Sequence, residues 1–170
     1  MPRLHVCSLA RIGDTVAKTG ARSLVTLLSP GTAVERPEKI APDRHLYLAV
    51  SDIVAPIPGQ VLPERNHLDE LLDFVRAWDR AEPMVIHCYA GVSRSTAAAF
   101  IAACALNPLR DEYEAARAIR AASRTATPNA RLVALADEAL QREGRMNEAI
   151  AAIGRGEDCF EGMPFALELA

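Results

Sequence analysis

Several absences narrow what this 170-residue chain can be. No apolar run approaches the roughly 20 residues that a helix needs to cross a bilayer, and the first residues lack the long apolar core of a signal peptide. The formal net charge of −3 leaves no basic excess of the kind that marks nucleic-acid binding. The four cysteines show no metal-ligand spacing. We therefore expect no membrane partner, no nucleic-acid partner and no bound metal, and the oligomeric state stays open.

What is present indicates one globular domain, since half of the residues are apolar and 24% are charged. The predicted strands are residues 4–8, 23–28, 45–50 and 84–86. The predicted helices are residues 14–19, 68–78, 95–106, 111–123, 129–142 and 145–153. Strands that alternate with helices indicate an α/β domain with a mainly parallel central sheet flanked by helices, followed here by a helical C-terminal half. We place this domain at residues 1–153 and assign residues 154–170 to a C-terminal tail.

The most informative segment, residues 87–96, reads His-Cys-Tyr-Ala-Gly-Val-Ser-Arg-Ser-Thr. It follows an apolar strand and leads into an alanine-rich helix, so its backbone amides lie at a helix N-terminus. That end of a helix carries partial positive charge and unpaired N–H donors, and it binds anions. Successive amides that curve inward complete the site. The residues predicted to bind the anion are Tyr89, Ala90, Gly91, Val92, Ser93 and Arg94.

The side chains of this loop suit attack by a thiolate on a phosphoryl group. A thiol at a helix N-terminus is largely ionised at neutral pH, which makes Cys88 an activated nucleophile. Arg94 offers a planar fork of donors that fits two phosphate oxygens. Gly91 allows a close approach to the ligand, Ser95 can direct its hydroxyl to the sulfur, and His87 can hold the loop by hydrogen bonds. The alternative, a buried core cysteine, leaves the glycine and the Arg-Ser pair unexplained.

The pattern His-Cys-x-x-Gly-x-x-Arg-Ser resembles the signature of the cysteine-dependent protein tyrosine phosphatase superfamily, and Ala-Gly-x-Ser-Arg-Ser is most similar to its dual-specificity branch. The resemblance implies a phosphatase-like fold and two-step hydrolysis of phosphate monoesters through a phosphocysteine, without a metal or other cofactor. Matched to this chain, Cys88 is the nucleophile, Arg94 the phosphate clamp and Ser95 the hydroxyl that assists the second step. The expected substrate is phosphotyrosine, with phosphoserine or phosphothreonine as a wider set, in a phosphorylated protein or a small monoester.

The resemblance also implies an aspartate general acid on an upstream loop, and Asp52 matches the spacing. It follows the strand at 45–50, at an edge of the sheet where sites of α/β proteins gather. The Trp-Pro-Asp triplet of the tyrosine-specific branch is absent. The alternative for Asp52 is a solvated turn aspartate. Its rival Asp43 should lie at the opposite end of the sheet, and Asp69 and Asp73 are expected on the exposed face of a helix.

Further downstream, the segment Thr127-Pro128-Asn129 has two roles open. Thr127 before a proline is typical of a helix start. In the family a Pro-Asn pair opens a late helix beside the phosphate loop, which makes Asn129 a candidate support for that loop. Arg124 either extends the positive field near the site or is simply solvated, and Tyr89 either borders the pocket or packs.

The remaining cysteines bear on compartment and regulation. Cys7 and Cys104 are expected in the core, or one of them could form a disulfide with an oxidised Cys88. A thiolate enzyme suits a reducing compartment, so we expect a cytoplasmic location. Two other functions stay open at this point: a phosphate-binding module without turnover, and sulfur or arsenate chemistry in a rhodanese-like domain.

Overall fold

The computed structural model describes residues 2–169, so Met1 and Ala170, the outer ends of the predicted domain and tail, lie outside the described residues. The strands are β1 (Arg3–Cys7), β2 (Ser23–Leu28), β3 (His45–Ala49), β4 (Met84–His87) and β5 (Phe165–Glu168). The helices are α1 (Ile12–Thr19), α2 (Arg65–Ala77), α3 (Arg94–Leu106), α4 (Glu112–Ala122), α5 (Ala130–Ala139) and α6 (Arg145–Ile153). Within the described part, no helix has the length and apolar character needed to cross a membrane.

The strands form one sheet in the order β3-β2-β4-β1-β5. The first four are mutually parallel, and β5 runs antiparallel to β1. Every residue of β2 is buried, as expected for an interior parallel strand with helices on both faces. The predicted α/β fold with a mainly parallel sheet is confirmed.

Helix α3 is the centre of the packing on one face of the sheet. It contacts β1, β2 and β4, and α2, α4 and α5 pack around it. All its residues from Arg94 to Cys104 are buried, and its run of alanines explains how it can lie between the sheet and three helices, because small side chains permit close approach. The opposite face of the sheet is covered by α1 over a smaller apolar cluster. The N-terminus of α3 is therefore held rigidly at the end of β4.

Local signals explain where several helices begin and end. Gly20, at φ +71°, ends α1 in the left-handed conformation that glycine adopts readily, and its N–H bonds the carbonyl of Val16. Asp111 caps α4 by accepting a hydrogen bond from the N–H of Glu114 at 2.9 Å. Both boundaries fall within one or two residues of the predicted ones.

The C-terminal segment differs from the prediction of a tail at residues 154–170. Its residues Phe165–Glu168 form β5 and pair with β1 in the register Val6↔Phe165 to Arg3↔Glu168. The side chains of Phe165 and Leu167 are buried. A strand this short shows too little alternation to be recognised, and the glycine-rich, charged residues before it suggest a loose chain. The domain therefore extends beyond residue 153 and includes an edge strand of the sheet.

Candidate active site

The predicted anion loop lies where β4 ends and α3 begins. Cys88 is at its base with 2% of its surface exposed, and Ser93 is the N-cap of α3. Strand β3 is parallel to β2 and β4 and ends at the same edge of the sheet. Because Asp52 follows β3 directly, the fold brings its carboxylate to the loop that carries Cys88.

The carbonyl oxygens of the loop are bound from outside by backbone N–H groups of three other segments. These hydrogen bonds run from Leu9 to Tyr89 (3.1 Å), from Gly162 to Ala90 (2.8 Å), from Thr127 to Val92 (2.9 Å) and from Asn129 to Ser93 (3.1 Å). The amide N–H groups of residues 89–93 donate no hydrogen bond within the described chain. The loop therefore presents unpaired donors at a helix N-terminus, while four of its carbonyl oxygens accept hydrogen bonds from other segments.

Close packing of the protein requires a glycine at position 91. Its φ is +74°, and an added Cβ would lie 2.8 Å from the carbonyl carbon of Cys7 and 2.9 Å from the amide nitrogen of Ser8. Any side chain there would strain the backbone and push the loop away from the end of β1. The close approach of Gly91 to the end of β1 is thus observed, and its close approach to a ligand stays a prediction.

Arg94 is anchored on one side of its guanidinium and open on the other. Its Nη1 donates to the carbonyl of Val50 at 3.0 Å and to the hydroxyl of Ser29 at 3.4 Å. Its Nε is buried and makes no hydrogen bond within residues 2–169. A buried unpaired donor costs about 1–3 kcal/mol. The Nε edge of the guanidinium is therefore available to an acceptor, and it has the geometry for a bidentate contact with an oxyanion.

The hydroxyl of Ser95 lies beside the predicted nucleophile. Its Oγ is 3.1 Å from the Sγ of Cys88, and Ser95 is fully buried. A hydroxyl at this distance can donate a hydrogen bond to a sulfur that leaves as a thiolate. The contact forms because Cys88 and Ser95 lie at the two ends of the loop.

His87 is hydrogen-bonded to the loop, and its further partners, Thr26 and His45, could not be identified from the sequence. Its Nδ1 lies 3.0 Å from the carbonyl of Cys88; a carbonyl only accepts, so Nδ1 carries the proton. Its Nε2 then accepts from the hydroxyl of Thr26 at 2.7 Å, and the Thr26 oxygen accepts from Nε2–H of His45 at 2.8 Å. Burial lowers the pKa of His87 to about 4, and the charge of Arg94 acts in the same direction. His87 is thus a neutral residue that orients the loop.

The carboxylate of Asp52 is held at the rim of the loop by two donors. Its Oδ1 accepts from the hydroxyl of Ser93 at 2.8 Å and from Nδ2 of Asn129 at 3.0 Å. Asn129 also caps α5, since its Oδ1 accepts from the N–H of Leu132 at 3.0 Å. The cap is therefore Asn129 and not Thr127, and the same side chain positions Asp52. Its Oδ2 makes no hydrogen bond within the described residues.

The other candidate residues lie away from the loop. Asp43 precedes β3 in a short 3-10 turn and is at the opposite end of the sheet, as predicted. Asp69 and Asp73 are exposed on α2, also as predicted. Arg124 forms an exposed ion pair with Glu157 at 2.8 Å, so its charge is matched by a neighbouring carboxylate.

A cleft of about 490 Å³ opens beside Asp52. One side is formed by the loop after Asp52, including Ile53, Val54 and Ile57, and the other by Ser93 and the start of α5. Val54 and Ile57 are 60% and 45% exposed. The cleft therefore offers an apolar wall next to the carboxylate.

The two other cysteines considered from the sequence are core residues. Cys7 and Cys104 are buried, and burial raises the pKa of each thiol to about 11. Cys7 lies beside His87 in the register of β1 and β4, while Cys104 is in the last turns of α3. Both thiols are protonated at neutral pH and are poor nucleophiles.

Comparison with known proteins agrees with the site. The protein-tyrosine phosphatase family matches residues 58–126, a segment that contains Cys88 and Arg94. A comparison with curated protein sequences gives no significant match.

Several solved structures have this fold. Human DUSP28 is 22% identical over 82% of this chain and 94% of its own, with a TM-score of 0.62. A mouse putative dual specificity phosphatase, crystallised with zinc tungstate, is 20% identical over 86% of each chain, with a TM-score of 0.63. The PTP-2 phosphatase of Cydia pomonella is 21% identical over 79% of this chain and 84% of its own, with a TM-score of 0.62. The chain therefore has the fold of these dual-specificity phosphatases, and the segment that carries Cys88 and Arg94 is similar to the protein-tyrosine phosphatase family.

Proposed function

We propose that this chain hydrolyses phosphate monoesters, phosphotyrosine foremost, through a phosphocysteine formed on Cys88. The observation that carries this proposal is the buried, unpaired Nε of Arg94 beside a loop whose amide donors are also unpaired. Buried donors without partners destabilise a fold. A tetrahedral oxyanion bound at the loop that carries Cys88 would satisfy the guanidinium edge and the amides together.

In the first step, the sulfur of Cys88 attacks phosphorus, and the bond from phosphorus to the leaving oxygen breaks. The proton that this oxygen needs comes from Asp52. Oδ1 of Asp52 is occupied by Ser93 and Asn129, so Oδ2 is the oxygen that carries and donates the proton. Arg94 and the loop amides bind the equatorial oxygens, where charge is spread in the transition state.

In the second step, water attacks the phosphorus of the phosphocysteine, and the carboxylate of Asp52 accepts the proton from that water. The bond between sulfur and phosphorus breaks, and the sulfur leaves as a thiolate. The Ser95 hydroxyl, 3.1 Å from that sulfur, donates a hydrogen bond to the charge that develops there. No metal or cofactor takes part in either step.

The apolar wall beside Asp52 favours an aromatic leaving group. Ile53, Val54 and Ile57 line the cleft, and they would contact the ring of a phosphotyrosine whose phosphate binds the loop. Phosphoserine and phosphothreonine are shorter and would make fewer of these contacts, so they are the weaker substrates of a dual-specificity enzyme. The substrate class is a phosphorylated protein, and a thiolate mechanism fits the reducing cytoplasm.

Hydrolysis of p-nitrophenyl phosphate and of a phosphotyrosine peptide tests the proposal. Cys88→Ser should reduce both rates to the uncatalysed level while vanadate still binds, because the oxyanion donors are intact. Acid quenching of the wild-type reaction should trap phosphate on Cys88. Cys159→Ser is the matched control: it removes an exposed thiol and should leave the rate on p-nitrophenyl phosphate unchanged.

Other outcomes would support the other functions. Binding of vanadate without hydrolysis of any phosphate ester by the wild type would make the chain a phosphate-binding module. Sulfur transfer from thiosulfate would favour a rhodanese-like reaction. Loss of hydrolysis on addition of EDTA would contradict a mechanism without a metal.

A further inference from the structure

The segment between α6 and β5, residues 155–163, is bonded to the loops that surround the active site. At its start, the N–H of Gly156 donates to the hydroxyl of Thr127 at 3.0 Å. At its end, the N–H of Gly162 donates to the carbonyl of Ala90 in the phosphate loop at 2.8 Å. We call residues 155–163 the rim segment. It is fixed at both ends and lies outside the residues that match the phosphatase family.

Two glycines let the rim segment lie directly against the site. A Cβ on Gly156 would be 2.6 Å from the carbonyl carbon of Thr125, and one on Gly162 would be 2.9 Å from the carbonyl oxygen of Gly91. Neither position tolerates a side chain without movement of the backbone. The contact with the phosphate loop is therefore built into the fold.

Between these two attachments the rim segment exposes a large aromatic side chain. The side chain of Phe160 is fully exposed, and Tyr89 of the phosphate loop is 64% exposed. The two rings border a hollow of about 430 Å³, which is also lined by Leu9, Ala10 and Glu161. Exposed aromatic side chains that share a hollow are typical of a binding surface.

The position of this hollow identifies what would occupy it. Tyr89 is the residue after Cys88, so the hollow is continuous with the loop that receives the phosphate. A peptide advances about 3.3–3.6 Å per residue when extended. The side chains one or two residues from a phosphorylated residue bound over Cys88 therefore come within reach of Tyr89 and Phe160.

The chemistry of the hollow favours an apolar occupant. Its charged lining group is Glu161, whose Oε1 accepts a 2.5 Å hydrogen bond from the hydroxyl of Ser8 and lies 3.8 Å from Nε of Arg11. This carboxylate is already paired with Arg11, and the residues that line the hollow include no cation that an acidic residue of the substrate could bind. The aromatic rings and Leu9 would bury an aliphatic or aromatic one.

We propose that the rim segment is a substrate-docking element, and that the hollow between Tyr89 and Phe160 binds an apolar side chain next to the phosphorylated residue of a peptide substrate. This inference rests on the proposed function, which supplies the bound phosphate. A small aryl phosphate does not reach the hollow, so the rim segment discriminates among peptides without affecting the chemical steps.

Phosphotyrosine peptides that differ at one position test this. Each of the two positions before and after the phosphotyrosine is varied among Leu, Phe and Glu, and kcat/KM is measured for each peptide. At one position at least, Leu or Phe should exceed Glu by about fivefold or more. Phe160→Ala should bring this ratio close to one and leave hydrolysis of p-nitrophenyl phosphate unchanged. Leu109→Ala, at an equally exposed site beyond the far end of α3, should leave both unchanged.

Binding to Cys88→Ser gives a second readout that needs no turnover. The same peptides should show the same order of affinity by calorimetry, and the order should be lost when Phe160→Ala is added. If the wild type hydrolyses none of the peptides but the order of affinity is kept, the proposed function is wrong and the docking element stands. Equal affinities and equal kcat/KM for all peptides, or a preference that survives Phe160→Ala, would overturn the docking element. So would a dimer that Phe160→Ala converts to a monomer, since a second copy of the chain would then occupy the hollow.

Discussion

Two buried arginines lie at the two ends of α3, and they differ in what remains open to a ligand. Arg94 at the N-terminus is 7% exposed, and Arg142, packed at the C-terminus, is 6% exposed. Arg94 donates only through Nη1, to Val50 and Ser29, and its Nε is unpaired within the described residues. Burial alone does not separate the two residues.

Both terminal nitrogens of Arg142 are hydrogen-bonded to the protein. Nη1 donates to Oε1 of Glu112 at 2.7 Å and to the carbonyl of Arg110 at 3.1 Å. Nη2 donates to the carbonyls of Cys104 and Asn107 at 2.8 and 3.3 Å, at the end of α3. A cation at this end also complements the helix dipole. Arg142 therefore stabilises the fold, and both of its terminal nitrogens are already bonded.

Both arginines are buried and charged, so the difference between them is unsatisfied hydrogen-bonding capacity. Nε of Arg120 is also buried and unpaired within the described residues, so an unpaired edge points to a ligand only where other unpaired donors lie beside it. The loop at the N-terminus of α3 keeps the amides of residues 89–93 and Nε of Arg94 unpaired together. The opposite end of α3 leaves no such set of donors around Arg142. One helix therefore has an end built for a ligand and an end built for stability.

The same substitution at the two arginines should have opposite effects, and this is the largest difference that we expect. Arg94→Lys should lower kcat/KM for p-nitrophenyl phosphate about 1000-fold, because an ammonium cannot supply the fork. It should change the free energy of unfolding by less than about 1 kcal/mol, since most donors of Arg94 have no partner in the protein. Steady-state kinetics and urea unfolding measure the two quantities.

Arg142→Lys is the matched control for that experiment. It should lower the free energy of unfolding by about 2 kcal/mol, because several carbonyls and Glu112 lose their donors, while kcat/KM of the folded protein is unchanged. A large loss of stability in Arg94→Lys, or a large loss of activity in Arg142→Lys, would contradict the distinction between the two ends.

Lowering the pH should reduce the free energy of unfolding through His87 at one end of α3 and through Glu112 at the other, in different pH ranges. The pKa of His87 is about 4 in the folded chain because of burial, below its ordinary value of 6.5, so between these values the unfolded chain binds the additional proton. The resulting stabilisation is complete above pH 6.5 and is lost as the pH falls toward 4, and it amounts to roughly 3 kcal/mol. Urea unfolding in a series of buffers across this range measures it.

The ion pair at the other end should respond only at lower pH. Burial by itself would raise the pKa of Glu112, but hydrogen bonds from Arg142 and Arg145 outweigh it and keep the pKa below the ordinary 4.5. Its stabilisation is therefore present above pH 4.5 and disappears as the pH falls further. His87→Asn should flatten the upper part of the curve and Glu112→Gln the lower part. A wild-type curve that is flat between pH 6.5 and 4 would show that His87 does not titrate as described.

Asp52→Asn should have a smaller effect on activity than Arg94→Lys. We expect kcat to fall about 100-fold for phenyl phosphate and much less for esters with better leaving groups, because the substitution removes only the proton donor. An asparagine oxygen still accepts from Ser93 and Asn129, so the geometry of the rim is kept. The ratio of the rates for the two kinds of ester should therefore change in the variant. An unchanged ratio would assign the acid role to another residue.

Much of the fold could be predicted because its signals are local. The strand at Ser23–Leu28 and the helix at Arg145–Ile153 have the predicted bounds, since a continuous apolar run and a helical period are complete within each segment. The edge strand Phe165–Glu168 could not be predicted, because its pairing partner β1 lies at the other end of the chain.

The candidate site also has a part that local sequence predicts and a part that it does not. The loop with Cys88, Arg94 and Ser95 is contiguous in the sequence, so the order of its residue types was enough to predict an anion site. The hydrogen bonds that hold it come from distant segments: Thr26 and His45 reach His87, and the rim segment reaches Ala90. No spacing in the sequence indicates which of many serines, threonines and glycines make these contacts.

The sequence by itself determined the chemistry, because a thiol, a guanidinium and a hydroxyl around one helix N-terminus are set by neighbouring positions in the chain. Only the tertiary structure decided which groups stay unpaired, since the partners that occupy Arg142 and leave Nε of Arg94 free come from distant elements. It also decided that Phe160 stands beside Tyr89. Hydrogen-bond satisfaction and shared surfaces depend on segments far apart in the chain, and folding alone brings those segments together.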